Sequence, residues 1–223
     1  MAPPSTPPKL KGIVFDLDGT LVDSLKVTFD AFNLGITHFG GRPHTGEEIM
    51  GHFGPGEGQI LARIVGPENA EVATRMARAH LEANLAQVPL HEGVAELLER
   101  LKSSGVEISI VTGRSWDATE RILNHHDLLD RFVTVIAHDH VESSKPSPEG
   151  ILLALGRMRL KPLDCCYVGD SPMDMKAASQ AGMPGVAALW DPMSKRQDLL
   201  NAGAQIFAQH PMDVWQYWIS ARR

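Results

Sequence analysis

The sequence predicts an α/β protein: a doubly wound, mostly parallel sheet carrying an inserted all-helical cap. Three observations predict it. From residue 90 onward, short apolar runs alternate with stretches of helical periodicity, the signature of repeated βα units. Residues 24 to 89 break that rhythm with consecutive helical patterns and no strand between them. The strands themselves run into polar residues at their carboxyl ends, beginning with "GIVFDLDGTLVDS" (12–24).

Taken in order, residues 1–9 carry four prolines within "MAPPSTPP" and none of the apolar core of a signal peptide, so they read as a disordered tail. The core is expected over 10–23 and 90–223, with strands at 12–17, 107–112, 132–137, 165–169 and 185–189. Helices are expected between them at 92–105, 115–128, 147–158 and 172–182. Ser115, Ser147 and Ser171 stand where N-caps are wanted, and Gly105 and Gly182 where a helix end favours positive φ. The cap (24–89) reads as helices at 24–41, 45–54, 56–66 and 68–88, with crossings back to the core near 22–26 and 88–93. Trp215, Tyr217 and Trp218 mark a terminal helix packed on the core.

Composition excludes several classes. Of 223 residues, 43% are hydrophobic and 22% charged, and no apolar run approaches the ~18–20 residues of a membrane helix. A net charge of −6 and a pI of 5.9 give no basic field for nucleic acid. The cysteines, Cys165 and Cys166, are adjacent and would face opposite sides of a strand. That argues against a disulfide or a zinc site and for a reducing, cytoplasmic setting. The histidines of "HDH" (138–140) and the pair His125-His126 lack partners at ligand spacing and read as surface residues. His44 and His52 in the cap are candidates for substrate contact.

Ligands of an open parallel sheet bind beyond the carboxyl ends of its strands. That rule gathers Asp16, Asp18, Thr112, Arg114, Lys145, Asp170 and Asp174 into one crevice. So many carboxylates would repel unless a divalent cation and a lysine neutralise them, and hard oxygen ligands suit Mg2+. Lys145 would hold a phosphate and keep a neighbouring carboxylate ionised. Asp16 at the strand tip could attack phosphorus, and Asp18 could protonate the leaving oxygen and later deprotonate water.

With these segments in view, the chain resembles the haloacid dehalogenase superfamily, and within it the phosphoglycolate phosphatase-like group with a helical cap. The residues that carry the resemblance are "DLDGT" (16–20), "VTGRS" around Thr112, "KPSP" from Lys145 and "GDSPMD" (169–174). The resemblance implies a Rossmann-like core in which Asp16 is the nucleophile and a magnesium ligand. Asp18 would be the acid/base and would ligate the metal through its carbonyl, and Asp170 would complete the protein ligands. Thr112 would hydrogen-bond the phosphoryl group, Lys145 would neutralise it, and Asp174 would support the metal's waters. Gly19, Thr20, Gly113 and Arg114, within the same motifs, would line the substrate. Retention of Asp18 favours phosphate esters over carbon-halogen cleavage. "TGR" departs from the Thr-Asn-Lys common in the group and replaces a point charge with a bidentate fork.

Several features admit plainer readings. Arg114 could simply decorate the helix that follows it, and Asp23 could cap the first cap helix. "FGPGEGQ" (53–59) follows a helix, not a strand, so it is no dinucleotide fingerprint; it reads either as a cap loop facing the crevice or as an interhelical turn. The expected function is a Mg2+-dependent phosphatase acting on a small phosphorylated metabolite (phosphoglycolate-like, a sugar phosphate or a nucleotide) through an aspartyl phosphate. The alternatives are a phosphosugar mutase, a pyrophosphatase and a noncatalytic phospho-ligand-binding regulator. Oligomeric state is not encoded in any motif.

Overall fold

The computed structural model describes residues 10–221; the predicted tail at 1–9 lies outside them. Six strands form one parallel sheet in the order β3-β2-β1-β4-β5-β6. They are β1 (Gly12–Phe15), β2 (Glu107–Val111), β3 (Thr134–Ile136), β4 (Cys165–Gly169), β5 (Gly185–Ala188) and β6 (Ile206–Ala208). The chain winds from β1 to β2 and β3 on one side and then crosses to β4, β5 and β6 on the other. The reversal falls at β1, which is where such a sheet opens a crevice at its carboxyl edge.

The strand β1 is buried throughout, as its continuous apolar run demands of a strand covered on both faces. Ile13 and Phe15 enter one apolar cluster and Val14 the other, so alternation along a single strand feeds both halves of the core. Burying a side chain such as Phe15 is worth about 1.5–3 kcal/mol. Cys165 and Cys166 divide between the same two clusters, and both thiols are free. Burial pushes the Cys165 thiol up to about 12 and Cys166 higher still, which leaves them inert.

The core helices are α5 (Val94–Ser103), α6 (Trp116–His125), α7 (Glu149–Met158), α8 (Pro172–Gln180), α9 (Arg196–Asn201) and α10 (Pro211–Ser220). Gly105 and Gly182 follow α5 and α8 with φ of 68° and 70°, as helix ends require. Ser171 caps α8 in a reciprocal box with Asp174. Ser147 is one residue early: α7 takes Pro148, already in helical φ/ψ, as its N-cap, while Ser147 Oγ accepts from the Glu149 amide at 3.3 Å. Helix α10 carries the terminal aromatics, with Trp215 and Trp218 stacked at 5.1 Å and Trp218 Nε1 donating to the Leu10 carbonyl. The strand β4 ends at Gly169 as predicted, whereas β1, β2, β3 and β5 stop one or two residues before their predicted ends. Both α9 and β6 are additions to the predicted set.

Between β1 and α5 lie α1 (Leu25–His38), α2 (Gly46–Met50), α3 (Glu57–Val65) and α4 (Pro67–Ala83). They bury a cluster of their own around Phe32, Ile36, Ile49 and Leu61. Their two connections to the sheet run side by side: the Asp23 amide donates to the Pro89 carbonyl at 2.9 Å, and the His91 amide to Leu21 at 3.1 Å.

Candidate active site

Asp16 follows β1 directly, its amide still bonded to Val168 at 2.8 Å, so the sheet fixes its position. The next turn needs Gly19: its φ is 73°, and a Cβ there would lie 2.4 Å from Asp170 Oδ2. Thr20 Oγ1 donates to Asp170 Oδ1 at 2.9 Å, and Trp190 Nε1 holds the Thr20 carbonyl at 2.9 Å. Gly19 and Thr20 therefore both meet Asp170 in this structure. Gly169 makes a similar approach at the end of β4, since a Cβ there would stand 2.5 Å from Asp174 Cγ.

The inner part of the site is a cluster of acids around one lysine. Lys145 Nζ lies 2.9 Å from Asp16 Oδ1, 2.6 Å from Asp174 Oδ1 and 3.3 Å from the Tyr167 hydroxyl. Burial works against the ammonium charge, but Asp16 and Asp174 outweigh it and raise the lysine above its usual range. The carboxyl of Asp16 is pushed up to about 7, by burial first and by Asp174 second, with Lys145 opposing. Asp170 is raised well above the carboxylate range by burial and by Asp174 and Asp16. Carboxylate oxygens of Asp16, Asp170 and Asp174 all lie within 4.8 Å of one another. A buried all-oxygen set in which Asp16 and Asp170 resist ionisation for want of positive charge fits a hard divalent cation.

The outer part is built differently. Asp18 turns away from Asp16 and is gripped by Arg114 through Nε at 2.9 Å and Nη2 at 2.7 Å, while Ser24 donates its hydroxyl to the same carboxylate. Burial alone would raise Asp18, but Arg114 prevails and holds it below its usual value. Arg114 also reaches Thr28 Oγ1 at 2.8 Å and Glu57 Oε1 at 3.2 Å. Thr112 Oγ1 accepts from the Arg114 amide at 3.1 Å, and Gly113 has no neighbour within 4 Å of its Cβ position.

The structure thus brings Asp16, Lys145, Asp170 and Asp174 together, with Asp18, Thr112 and Arg114 beside them. It leaves other candidates outside. His44 and His52 line a cavity of about 450 Å3 at the carboxyl end of α3, whereas α3 meets the crevice at its other end, through Glu57. Asp23 is exposed on the paired connections; Ser24 holds the N-cap position of α1 but gives its hydroxyl to Asp18. The supposed surface histidines are partly engaged: His126 Nε2 meets the Val88 carbonyl at 2.7 Å, and His138 Nδ1 the Ser144 hydroxyl at 2.6 Å. Glu57, Ser24 and Tyr167 had gone unassigned. Only Glu57 had carried a signal, its place in the Gly-rich 53–59 segment, which is the crevice-facing loop and not a mere turn.

A doubly wound parallel sheet with a carboxylate-lined crevice at its reversal point is the architecture of a Rossmann-like enzyme. The family model described as haloacid dehalogenase-like hydrolase matches residues 13–188, and the chain belongs to that family. It is one of its phosphatases. A phosphoglycolate phosphatase of Xanthomonas campestris is 31% identical over 92% of this chain and 95% of its own length. A pyrophosphatase PpaX of Bacillus mycoides is 29% identical over 82% and 85%. The crystal structure of a hydrolase from Pseudomonas syringae superposes with a TM-score of 0.82 at 26% identity, covering 93% of this chain and 97% of that one. No helix among the described residues is long and apolar enough to cross a membrane.

Proposed function

We propose that this phosphatase is Mg2+-dependent and hydrolyses a small phosphorylated metabolite in the cytoplasm through an aspartyl phosphate on Asp16. The observation that carries the reading is the convergence of Asp16, Asp170 and Asp174 at the ends of β1 and β4, with Lys145 bound to Asp16 and Asp174. Asp16, Asp170 and the Asp18 carbonyl would hold the cation, with Asp174 beside them. When bound, the metal supplies charge neutralisation that lets the carboxylates ionise together and stabilises negative charge on the phosphoryl group.

The chain's own residues divide the remaining work. An Asp16 carboxylate oxygen bonds to phosphorus as the bond to the leaving oxygen breaks, and Asp18, protonated, gives that oxygen its proton. Lys145 balances the phosphoryl charge, and Thr112 donates its hydroxyl to it while accepting from the Arg114 amide. In the second step ionised Asp18 takes a proton from water, which attacks phosphorus and breaks the bond to Asp16. The arrangement described here, with Asp18 held ionised by Arg114, suits that second step; the first requires Arg114 to withdraw. Closure of α1–α4 over the crevice limits attack by bulk water.

The relatives named for phosphoglycolate and for pyrophosphate frame the substrate class. The test is phosphate release from phosphoglycolate, sugar phosphates, nucleotides and pyrophosphate, with Mg2+ and with chelator, alongside acid-quench trapping of labelled phosphate on Asp16. Metal-independent turnover, or turnover without a trapped aspartyl phosphate on any rapid quench, would remove the reading. Isomerisation of glucose 1-phosphate without free phosphate would make the chain a mutase.

A further inference from the structure

Glu57 opens α3 and reaches the crevice from the cap. Its Oε1 lies 3.2 Å from Arg114 Nη1; its Oε2 accepts from Ser115 Oγ at 3.2 Å and lies 3.9 Å from Arg78 Nε. The side chain is only 12% exposed. Next to it, Gly56 packs so closely on His138 that a Cβ would fall 2.3 Å from the ring, so Glu57 is pinned where it stands. With Asp18 addressing the leaving oxygen, whatever is attached to that oxygen sits beyond Asp18, toward Arg114 and Glu57.

Among the described residues on that side, Arg114, 6% exposed, is bound by Asp18 and Glu57, and Arg78 lies 3.9 Å from Glu57. A leaving group bearing its own carboxylate or phosphate would meet Glu57's largely dehydrated carboxylate, whose like charge repels it. Hydroxyl or ammonium groups would instead donate to Glu57.

We propose that Glu57 is the specificity residue of the cap and selects phosphate monoesters whose leaving group is neutral or cationic, a polyol or an amino alcohol, over those whose leaving group stays anionic. Phosphoglycolate and pyrophosphate belong to the disfavoured class. The proposal rests on the phosphatase reading above and narrows it.

The test uses matched pairs differing only in charge: 2-hydroxyethyl phosphate against phosphoglycolate, and glycerol 3-phosphate against 3-phosphoglycerate, with phosphoethanolamine as the cationic arm. In whichever pair the enzyme turns over, the alcohol is expected to exceed the acid in kcat/KM by about tenfold or more, and Glu57→Gln to bring the two within about threefold. Glu57→Asp should keep the ranking. A wild-type preference for the acid overturns the proposal. An unchanged ranking in soluble, folded Glu57→Gln also overturns it, and the wild-type ranking needs no variant to be read. No release from any of these esters or from the broader panel overturns the phosphatase reading, and the proposal with it.

Discussion

Two clusters of charge share one crevice and are built in opposite ways. In the inner one, Asp16, Asp170 and Asp174 face a single lysine, and Asp16 and Asp170 are driven toward their protonated forms. In the outer one, Arg114 stands between Asp18 and Glu57, and Asp18 is driven toward ionisation. The inner cluster is incomplete without a further cation; the outer one is satisfied by the chain alone. The unbalanced cluster is left open to a cation, while the balanced one ties the cap to the core through Glu57 and Arg114.

Substitutions should separate the two. Asp16→Asn, in the inner cluster, is expected to cut turnover by more than about 10^4-fold while the circular dichroism spectrum and fold persist. Residual hydrolysis above that level would take the nucleophile's role from Asp16. Asp18→Asn should cost about 10²–10⁴-fold in turnover and let the aspartyl phosphate accumulate. A variant that hydrolyses at the wild-type rate would erase the division of labour between the two aspartates. In the outer cluster, Arg114→Met leaves two largely buried carboxylates without their guanidinium, and urea unfolding should show a loss of about 3 kcal/mol. A loss under about 1 kcal/mol would mean the cap is held by its apolar contacts alone.

The smallest expected effect concerns metal and pH. Free of metal, Asp16 keeps its proton up to about pH 7 in the folded chain, whereas unfolded it releases it near ~3.9. The folded state thus binds more protons across that window, and the site's contribution to stability falls as pH rises through it. Saturating Mg2+ should therefore raise Tm by at least about 2 °C at pH 8 and by less at pH 5. Equal shifts at both pH values would show that the acids do not bind the ion in competition with protons.

The inner cluster was legible in the sequence because its chemistry dictates residue types at strand ends: an apolar run ending in "DLD", a lysine after the third strand, a "GDSPMD" after the fourth. The outer cluster was only half legible. Asp18 and Arg114 could be gathered by the sheet rule, but that they would pair depends on how the loop after β2 folds back. Glu57 lies in the Gly-rich 53–59 segment that the sequence singles out, but that it joins Arg114 depends on the angle at which α3 meets the core, a tertiary quantity. The strand β6 escaped for a simpler reason: three residues, two of them half-buried, give alternation too little length to register. Ser147 was displaced by one position because Pro148, lacking an N–H, made the better helix boundary.

The placement of β1 at the centre of the sheet also sets an order of events. Gly12 pairs with Glu107 on one side and Cys165 on the other, so neither ladder can form until the chain has been made far past the cap. At typical synthesis rates the apolar strand that bears Asp16 waits on the order of ten seconds for its second neighbour. In the interval α1–α4, whose contacts are local, can already close on themselves. The strand made first is therefore secured only after β2, β3 and β4 have been made, and the crevice comes into being when the chain's second half arrives to enclose it.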